Sequence, residues 1–514
     1  MNEVATSEQV WATAALLGVY VVFVLFFVVR GAMKTKSIKD YALGNISFSP
    51  VAVGLALAAS MTSAATFIIN PGFIALYGIS GVLSMAIVLP IAAFVSLVVL
   101  TKGFQKIGSS VQALTMAQWI GKRYDSKGFA LFFAFLSLLL VTFIVLICVG
   151  LTQVLASSLN ADPLYVLIGV VVFIFGYMMF GGANSMVYTN TIQASLMLVV
   201  AFILLGSGYN HFSEGVHGFL DKLESIDPNL ASVTNPSSFL FRDFFEIIFC
   251  QLIIGVAIVC QPHIITKSLL LKNEKAVNTY LTVGILVEAV FFFVVFTGLY
   301  ARITFPDLTL GGEAIKLDSI MSTYVVREFP VYLALLVILG LISAGVSTLE
   351  GLIQSVSTTI SEDIIKPLFG HKLYASGNTD KKQILVNKLV IGLLAVISIL
   401  LSYNQILYPN LSVGIFAQNG VYAYFAAAFI PVIFGMFLKN VPPVAVIGAS
   451  VLALVTHFAI YYGGITHYMQ GTVRNPGIAA ALAILISAFA GTVIYLFQRE
   501  KYKIKQLGRA ETGS

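Results

Sequence analysis

The chain has 514 residues, of which 58% are apolar and 10% are charged, and its mean hydropathy is +0.94. A soluble protein of this size cannot bury so much apolar surface, so the composition indicates an all-α polytopic membrane protein with one membrane domain over residues 1–514. The net charge of +6 does not predict a nucleic-acid partner, because the basic residues are scattered through short loops.

Apolar segments long enough to cross a bilayer recur along the whole chain, and they predict about thirteen transmembrane helices. The first segment follows a leader without Lys or Arg, so we interpret it as a retained span and not as a signal peptide. The predicted spans cover residues 9–30, 49–78, 79–101, 128–157, 163–180, 186–208, 242–262, 277–301, 331–362, 384–403, 411–438, 443–463 and 476–497.

The distribution of Lys and Arg predicts the orientation of these spans. With the N-terminus outside and the C-terminus in the cytoplasm, the cytoplasmic loops and tail carry 23 of the 29 basic residues. The basic tail at 498–514 is expected to lie at lipid headgroups. We therefore expect a multi-pass protein of the plasma or inner cell membrane.

Two spans contain residues that interrupt helices. In span two (49–78) they are Gly54, the small residues of 58–65 and Asn70-Pro71-Gly72, and in span seven (242–262) they are Gly255 and Cys260-Gln261-Pro262-His263. Unwound backbone inside a membrane is tolerated where it lines protein or water, and transporters coordinate cations with the carbonyls that it frees. Close packing of helices explains each interruption alone equally well.

The positions of the two interruptions indicate an internal repeat. Each interrupted span is the first of five, in the blocks 49–208 and 242–438, and an odd number of spans gives the blocks opposite orientations. Such a pair is typical of secondary transporters built from inverted repeats. The spans at 9–30 and 443–497 then lie outside the repeats as peripheral helices.

Span nine contains an acidic residue among small hydroxyl residues. From Gly340 to Lys366 the chain reads GLISAGVSTLEGLIQSVSTTISEDIIK. An ionisable group such as Glu350 is costly inside a membrane and usually marks an ion or substrate path. Ser347 and Thr348 precede it by one turn or less, and hard cations such as sodium favour oxygen ligands. This span is therefore a candidate cation site.

Several segments resemble the sodium:solute symporter family, from about residue 40 to residue 445. CQPHI and the Ser-Thr pair of span nine are similar to proline-type members, and span two is closer to pantothenate and monocarboxylate members. The resemblance implies the LeuT-like inverted five-helix repeat with additional peripheral helices. The segments that carry it are ASMTSAATFI with the following NPG and YGISG, GG…YTNTIQ at 181–193, CQPHI at 260–264, SAGVSTLEGLIQSVSTTISEDI at 343–364 and FIPVIFGMFLKN at 429–440.

The resemblance also implies a sodium site between spans two and nine. Its ligands would be the backbone carbonyls of Ala59, Thr62 and Ala344 together with the hydroxyls of Ser347 and Thr348. These are five oxygens without a fixed charge. Sodium is therefore the ion that we expect the protein to bind.

A second cation site is suggested by two departures from the family. Many relatives have Asp where this chain has Asn190 and Ser where it has Glu350, so a carboxylate is lost from one helix and gained on the facing one. Our hypothesis is that Asn190, Ser347 and Glu350 form a second cation or proton site. The alternative is that Glu350 faces an aqueous cavity and has no part in coupling.

Differences in the predicted solute site narrow the solute class. Ala65, Thr66 and Met85 stand where sugar-carrying members have polar residues, and Met61 stands where proline-type members have Asp. A small carboxylate-bearing solute fits best, such as an amino acid, a monocarboxylate or a pantothenate-like acid. The expected contacts are hydroxyl and amide side chains, namely Ser63, Thr66, Gln153, Gln251, Gln261 and Gln418.

These features together predict sodium-coupled symport by alternating access, for which a monomer suffices. Proton-coupled symport of the same solutes and sodium/sugar symport are the alternatives, and a symporter-like sensor is a remote one. An enzyme is not expected, because the sequence has no HExxH motif and its six histidines are scattered. The three cysteines lie in apolar spans with no metal-site spacing.

Overall fold

The computed structural model describes residues 5–44, 48–271, 274–373, 379–409 and 412–512, which are mostly helical. One antiparallel hairpin pairs β1 (Thr309–Leu310) with β2 (Glu313–Ala314). The first helices are α1 (Ser7–Ala32), α2 (Ile38–Leu43), α3 (Pro50–Met61), α4 (Asn70–Tyr77), α5 (Ile79–Val82), α6 (Leu89–Val111), α7 (Met116–Arg123), α8 (Lys127–Leu136), α9 (Val141–Leu159), α10 (Pro163–Met178), α11 (Ala183–Ser207) and α12 (Gly215–Ile226).

The second half of the chain continues in the same way, and short π-helical turns lie at Ala65–Ile69, Leu83–Val88, Phe245–Cys250 and Ile360–Ile365. The remaining helices are α13 (Gln251–Ile258), α14 (Pro262–Ile265), α15 (Glu274–Phe293), α16 (Thr297–Thr304), α17 (Ile320–Glu328), α18 (Val331–Thr359), α19 (Lys366–Leu373), α20 (Thr379–Leu407), α21 (Val413–Phe437), α22 (Pro443–Gly463) and α23 (Pro476–Thr512).

The number of membrane spans is ten to twelve by length and composition. Within the described ranges, ten helices qualify alone, and two sharply bent helix pairs qualify when each pair is taken as one span. Helix α10 is apolar but has only 16 residues. The predicted all-α polytopic architecture is confirmed, whereas the count of thirteen, the inverted repeat and the orientation of the termini stay predictions.

Span two is broken where the run of small residues predicts it. Helix α3 ends at Met61, the backbone of Thr62 is extended, and the chain turns by 51° before the next helical segment. Ser63 starts that segment, because its hydroxyl accepts a hydrogen bond from the Ala65 N–H at 3.0 Å in the manner of an N-cap. The predicted break within 58–65 is therefore confirmed.

The other expected interruptions of span two are wrong. Gly54 lies inside α3, where a Cβ atom would stand 2.8 Å from the Tyr280 carbonyl oxygen, so this glycine allows α3 and α15 to approach closely. The Asn70-Pro71-Gly72 segment begins α4 and does not unwind the chain. Pro71 lies in the first turn of that helix, where its missing N–H is not needed.

Span seven is broken at its predicted proline. Helix α13 ends at Ile258, α14 begins at Pro262, and the two parts of the span meet at 54°. The prediction of a break at residues 260–263 is confirmed. Gly255 does not interrupt α13. A Cβ atom there would lie 2.6 Å from the Leu89 carbonyl oxygen, so Gly255 serves close helix packing.

The packing of the helices brings the break in span two against span nine. Helix α3 contacts α11, α15 and α18, and α6 contacts α13 and α15. Spans two, three, seven and eight therefore pack on one another. Helix α1 lies against α11, and α22 and α23 pack against α21, while α23 also contacts α13 of span seven.

Candidate functional site

The five predicted sodium ligands form one cluster of oxygen atoms. Ser347 Oγ lies 2.7 Å from the Ala59 carbonyl oxygen and 3.2 Å from that of Ala344. Thr348 Oγ1 lies 3.3 Å, 3.4 Å and 3.2 Å from the carbonyl oxygens of Ala59, Thr62 and Ala344. Oxygens held about 2.4 Å from one ion and at right angles to each other are roughly 3.4 Å apart. These five atoms are therefore close enough to bind one small cation.

The end of α3 explains why carbonyl oxygens point into this cluster. The last four carbonyls of a helix have no partner within the helix, and Ala59 is among them. Thr62 follows with extended backbone (φ −90°, ψ 101°), which turns its carbonyl away from the helix axis. All five ligand residues are fully buried, so water does not compete for these groups.

An acidic residue that was not among the predicted site residues contacts the end of α3. Glu288 on α15 is fully buried, and its Oε2 accepts a hydrogen bond of 2.5 Å from the Thr62 hydroxyl. Its Oε1 has no hydrogen-bond partner among the described residues. Glu288 faces Thr62 because it lies one turn after Gly284, which lets α15 approach Leu57 of α3 closely. The available signal was an acidic residue inside an apolar span.

The three residues of the predicted second cation site do not form one hydrogen-bonded group in the described part of the chain. Glu350 accepts hydrogen bonds from the Tyr177 hydroxyl at 2.5 Å and from Thr189 Oγ1 at 2.9 Å. Asn190 donates to Ser60 Oγ at 3.3 Å, and that hydroxyl lies 3.5 Å from the Ser347 carbonyl oxygen. Asn190 is thus linked to Ser347 through Ser60, while Glu350 has its own pair of hydroxyl donors.

A central cavity of about 100 Å³ lies beside the break in span two. Its aromatic walls include Phe143, Phe292 and Tyr422, and no charged residue of the described chain lines it. Two of its amide groups have carbonyl oxygens without a partner in the described part of the chain. Five of the six predicted solute contacts line this cavity, namely Ser63, Thr66, Gln251, Gln261 and Gln418.

The sixth predicted contact, Gln153, lies elsewhere. It lines a separate pocket with Asn160 and Lys316, and its Oε1 accepts a hydrogen bond of 3.1 Å from Ser319. This pocket borders the hairpin of residues 309–314, on the side that the charge distribution predicts to be outside. The structure therefore does not bring Gln153 to the central cavity.

Comparison with known proteins places the chain in a family. The model of the sodium:solute symporter family matches residues 41–449. The sodium/pantothenate symporter of Escherichia coli (strain K12) is 26% identical over 462 residues, which cover 86% of this chain and 90% of the relative. The osmoregulated proline transporter of Bacillus subtilis (strain 168) is 21% identical over 498 residues, which cover 95% of each chain.

A solved structure has the same fold. A Na⁺-coupled sialic acid symporter in a substrate-bound outward-open state superposes with a TM-score of 0.75 at 18% identity, over 95% of this chain and 97% of that one. The expected LeuT-like architecture is thus found in a solved relative of low sequence identity. With the family match over most of the chain and at least ten apolar helices, the protein is a multi-pass membrane transporter and not an enzyme. The chain belongs to the sodium:solute symporter family.

Proposed function

We propose that the protein carries out sodium-coupled symport of a small carboxylate-bearing solute. The observation that carries the proposal is the cluster of five buried oxygens from Ala59, Thr62, Ala344, Ser347 and Thr348. Sodium bound there would join the broken span two to span nine. The family and the sodium-coupled relative support sodium as the driving ion.

The central cavity supports a solute with one carboxylate. Its polar groups are hydroxyls and amides, which can donate hydrogen bonds to carboxylate oxygens, and its aromatic walls suit an apolar body. In the described lining no cationic side chain balances the carboxylate, so the positive charge would come from the bound sodium ion. The relatives named for pantothenate and proline, both carboxylates, fit this solute class.

The break in span two couples the ion to the solute. Thr62 offers its carbonyl to the cation, and the next residue, Ser63, lines the cavity. Sodium binding fixes the backbone at Thr62, which holds Ser63 in place for the solute. Occupancy of both sites then permits spans two, three, seven and eight to rock against the rest of the protein. An inward-negative potential of 100 mV adds roughly 2.3 kcal/mol for each sodium ion that enters.

We also propose the second cation or proton site at Asn190, Ser347 and Glu350. Glu350 is buried in a span, which is costly for a carboxylate that has no coupled cation. The Asn190 Oδ1 atom has no partner among the described residues and is free to be a ligand. Each Glu350 oxygen accepts one of the hydrogen bonds from Tyr177 and Thr189, so both oxygens keep a lone pair for a cation.

The test is radiolabelled uptake into proteoliposomes that contain the purified chain. Pantothenate, L-proline and L-lactate are the carboxylate probes, and myo-inositol is the polyol probe. We expect uptake of at least one carboxylate that stops when external sodium is replaced by choline. Uptake driven by a pH gradient in choline would favour proton coupling, and sodium-dependent uptake of myo-inositol alone would favour sugar symport. Binding without transport would favour a sensor.

A further inference from the structure

A small pocket with unpartnered donors lies on the far side of the break in span seven. Its volume is about 30 Å³, and His263, Lys267 and Thr358 are among its lining residues. The three side chains are at most 3% exposed. The Lys267 Nζ, both ring nitrogens of His263 and the Thr358 Oγ1 have no hydrogen-bond partner among the described residues.

The chain places these donors together through simple geometry. Pro262 restarts the helix after the break, His263 lies in its first turn, and Lys267 lies in the 3-10 turn that follows, and both residues line the pocket. Thr358 comes from the end of α18, which packs against α14. The pocket therefore lies between span nine, which contributes to the oxygen cluster, and span seven, which lines the cavity.

Nothing acidic in the described chain neutralises Lys267 directly. No Asp or Glu lines the pocket, and none of the ion pairs within 4.0 Å involves this lysine. Glu350 acts on Lys267 electrostatically, but its oxygens accept hydrogen bonds from Tyr177 and Thr189. A buried ammonium group without a partner is costly, so the pocket is suited to an anion.

The pocket lies between the central cavity and a wide opening. Phe143 lines the central cavity, and its ring packs edge-on against the His263 ring at 5.8 Å. On the other side, Leu43 and Leu114 line both the pocket and an opening of about 740 Å³. This opening is on the side that the charge distribution predicts to be cytoplasmic. A solute that leaves the cavity toward this opening would have to pass the Phe143–His263 ring pair.

We propose that His263, Lys267 and Thr358 form an anion site that receives the carboxylate of the transported solute on its way to the cytoplasm. The proposal rests on the proposed carboxylate symport. An ammonium, an imidazole N–H and a hydroxyl all donate, and a carboxylate only accepts, so the two sets are complementary. The 30 Å³ volume fits a carboxylate group and is too small for the remainder of the solute.

The experiment measures solute uptake from outside and solute efflux from inside separately, in right-side-out membrane vesicles. The probe is pantothenate or L-proline, whichever the wild-type chain accumulates with sodium. In Lys267→Gln we expect the internal concentration for half-maximal efflux to rise about tenfold or more, while the external concentration for half-maximal uptake changes less than twofold. Lys267→Arg keeps the charge but has a larger head group, so we expect it to raise this concentration less than Lys267→Gln does.

Control measurements distinguish loss of the proposed site from misfolding of the variant and from binding of a free anion. Lys439→Gln removes an exposed charge from the predicted cytoplasmic side, and Lys439 does not line the central cavity, the small pocket or the wide opening. It should change neither the half-saturating concentration for uptake nor that for efflux. Sodium-induced thermal stabilisation of each purified variant reports the fold. One outcome would assign the pocket to a free anion and overturn the proposal. In it, internal chloride changes the efflux of the wild-type chain, Lys267→Gln abolishes this chloride effect, and Lys267→Gln leaves the half-saturating concentration of the carboxylate unchanged.

Normal uptake with unchanged release in Lys267→Gln and His263→Gln would overturn the inner site alone. The absence of sodium-dependent uptake of every carboxylate by the wild-type chain would overturn the proposed function, and the inner site with it.

Discussion

Thr62 donates its hydroxyl to Glu288 at 2.5 Å, and the carbonyl oxygen of the same residue belongs to the oxygen cluster proposed for sodium. The five oxygens of the cluster are all uncharged. Glu288 is thus a buried acidic residue in direct contact with a residue of the cluster. Burial alone disfavours its charged form, and a cation bound in the cluster would favour that form, so the ionised carboxylate and the cation would stabilise each other. Its hydrogen bond also fixes the side chain of the residue at which α3 ends.

We expect Glu288→Gln to weaken sodium binding more than solute binding. The amide oxygen can still accept the Thr62 hydroxyl, but the negative charge is lost. The half-saturating sodium concentration should rise roughly tenfold, which corresponds to about 1.4 kcal/mol. Sodium-dependent uptake over a range of sodium concentrations measures it. The control is Glu328→Gln, which changes an exposed carboxylate on α17. Equal sodium dependence in both variants would contradict the assignment.

We expect Thr348→Ala to raise the half-saturating sodium concentration by tenfold or more, because the cluster loses one of its two hydroxyl ligands. At saturating sodium the solute affinity should stay within about threefold of wild type. Thr152→Ala is the matched control, since the Thr152 hydroxyl is buried and, among the described residues, donates to the Cys148 carbonyl of its own helix. Wild-type sodium dependence in Thr348→Ala would count against the sodium site.

Much of the site could be predicted because its causes are local in the chain. The breaks at 58–65 and at Pro262 follow from small residues and proline inside long apolar runs, and the resemblance supplied the proposed ion ligands from short motifs. Gly54 and Gly255 could not be separated from true breaks by sequence. A glycine that unwinds a helix and one that admits a neighbouring helix look alike until the neighbour is known.

The features that were missed depend on contacts between distant segments. Glu288 meets Thr62 only because α15 packs closely on α3, and Gln153, outside the cavity, accepts a hydrogen bond from Ser319, which lies far along the chain. Glu350 was predicted to matter, but its partners Tyr177 and Thr189 lie on two other helices. Spacing within one span does not reveal such partners.

We expect the stability of the protein to depend on pH through Asp318, outside the spans. Its carboxylate accepts hydrogen bonds from Ser412 Oγ at 2.5 Å and from the Val413 N–H at 3.0 Å, at the start of α21. Burial raises the pKa of Asp318 above its ordinary value, and these hydrogen bonds only partly oppose the shift. The folded state then binds the proton more tightly than the unfolded chain. This contribution to stability is present at low pH and is lost as pH rises through the raised pKa.

The measurement is the thermal midpoint of wild type and Asp318→Asn between about pH 4 and pH 7. The wild-type midpoint minus that of the variant should fall with rising pH by about 1–3 °C, because the neutral amide does not titrate. A difference that is constant, or that grows with pH, would contradict the prediction.

The role of Glu350 in coupling is tested by the charge that enters with each solute molecule. If Glu350 holds a second cation or proton, Glu350→Gln should reduce the number of coupled positive charges per solute by one. The largest ratio of internal to external solute that the membrane potential can sustain then falls. The reversal potential of sodium-driven transport in proteoliposomes measures this number. Tyr177→Phe is the matched variant, because it removes one hydrogen bond to Glu350 and leaves the carboxylate in place. We expect it to retain the wild-type number of coupled charges, and an unchanged number in Glu350→Gln would instead show that this carboxylate has no part in coupling.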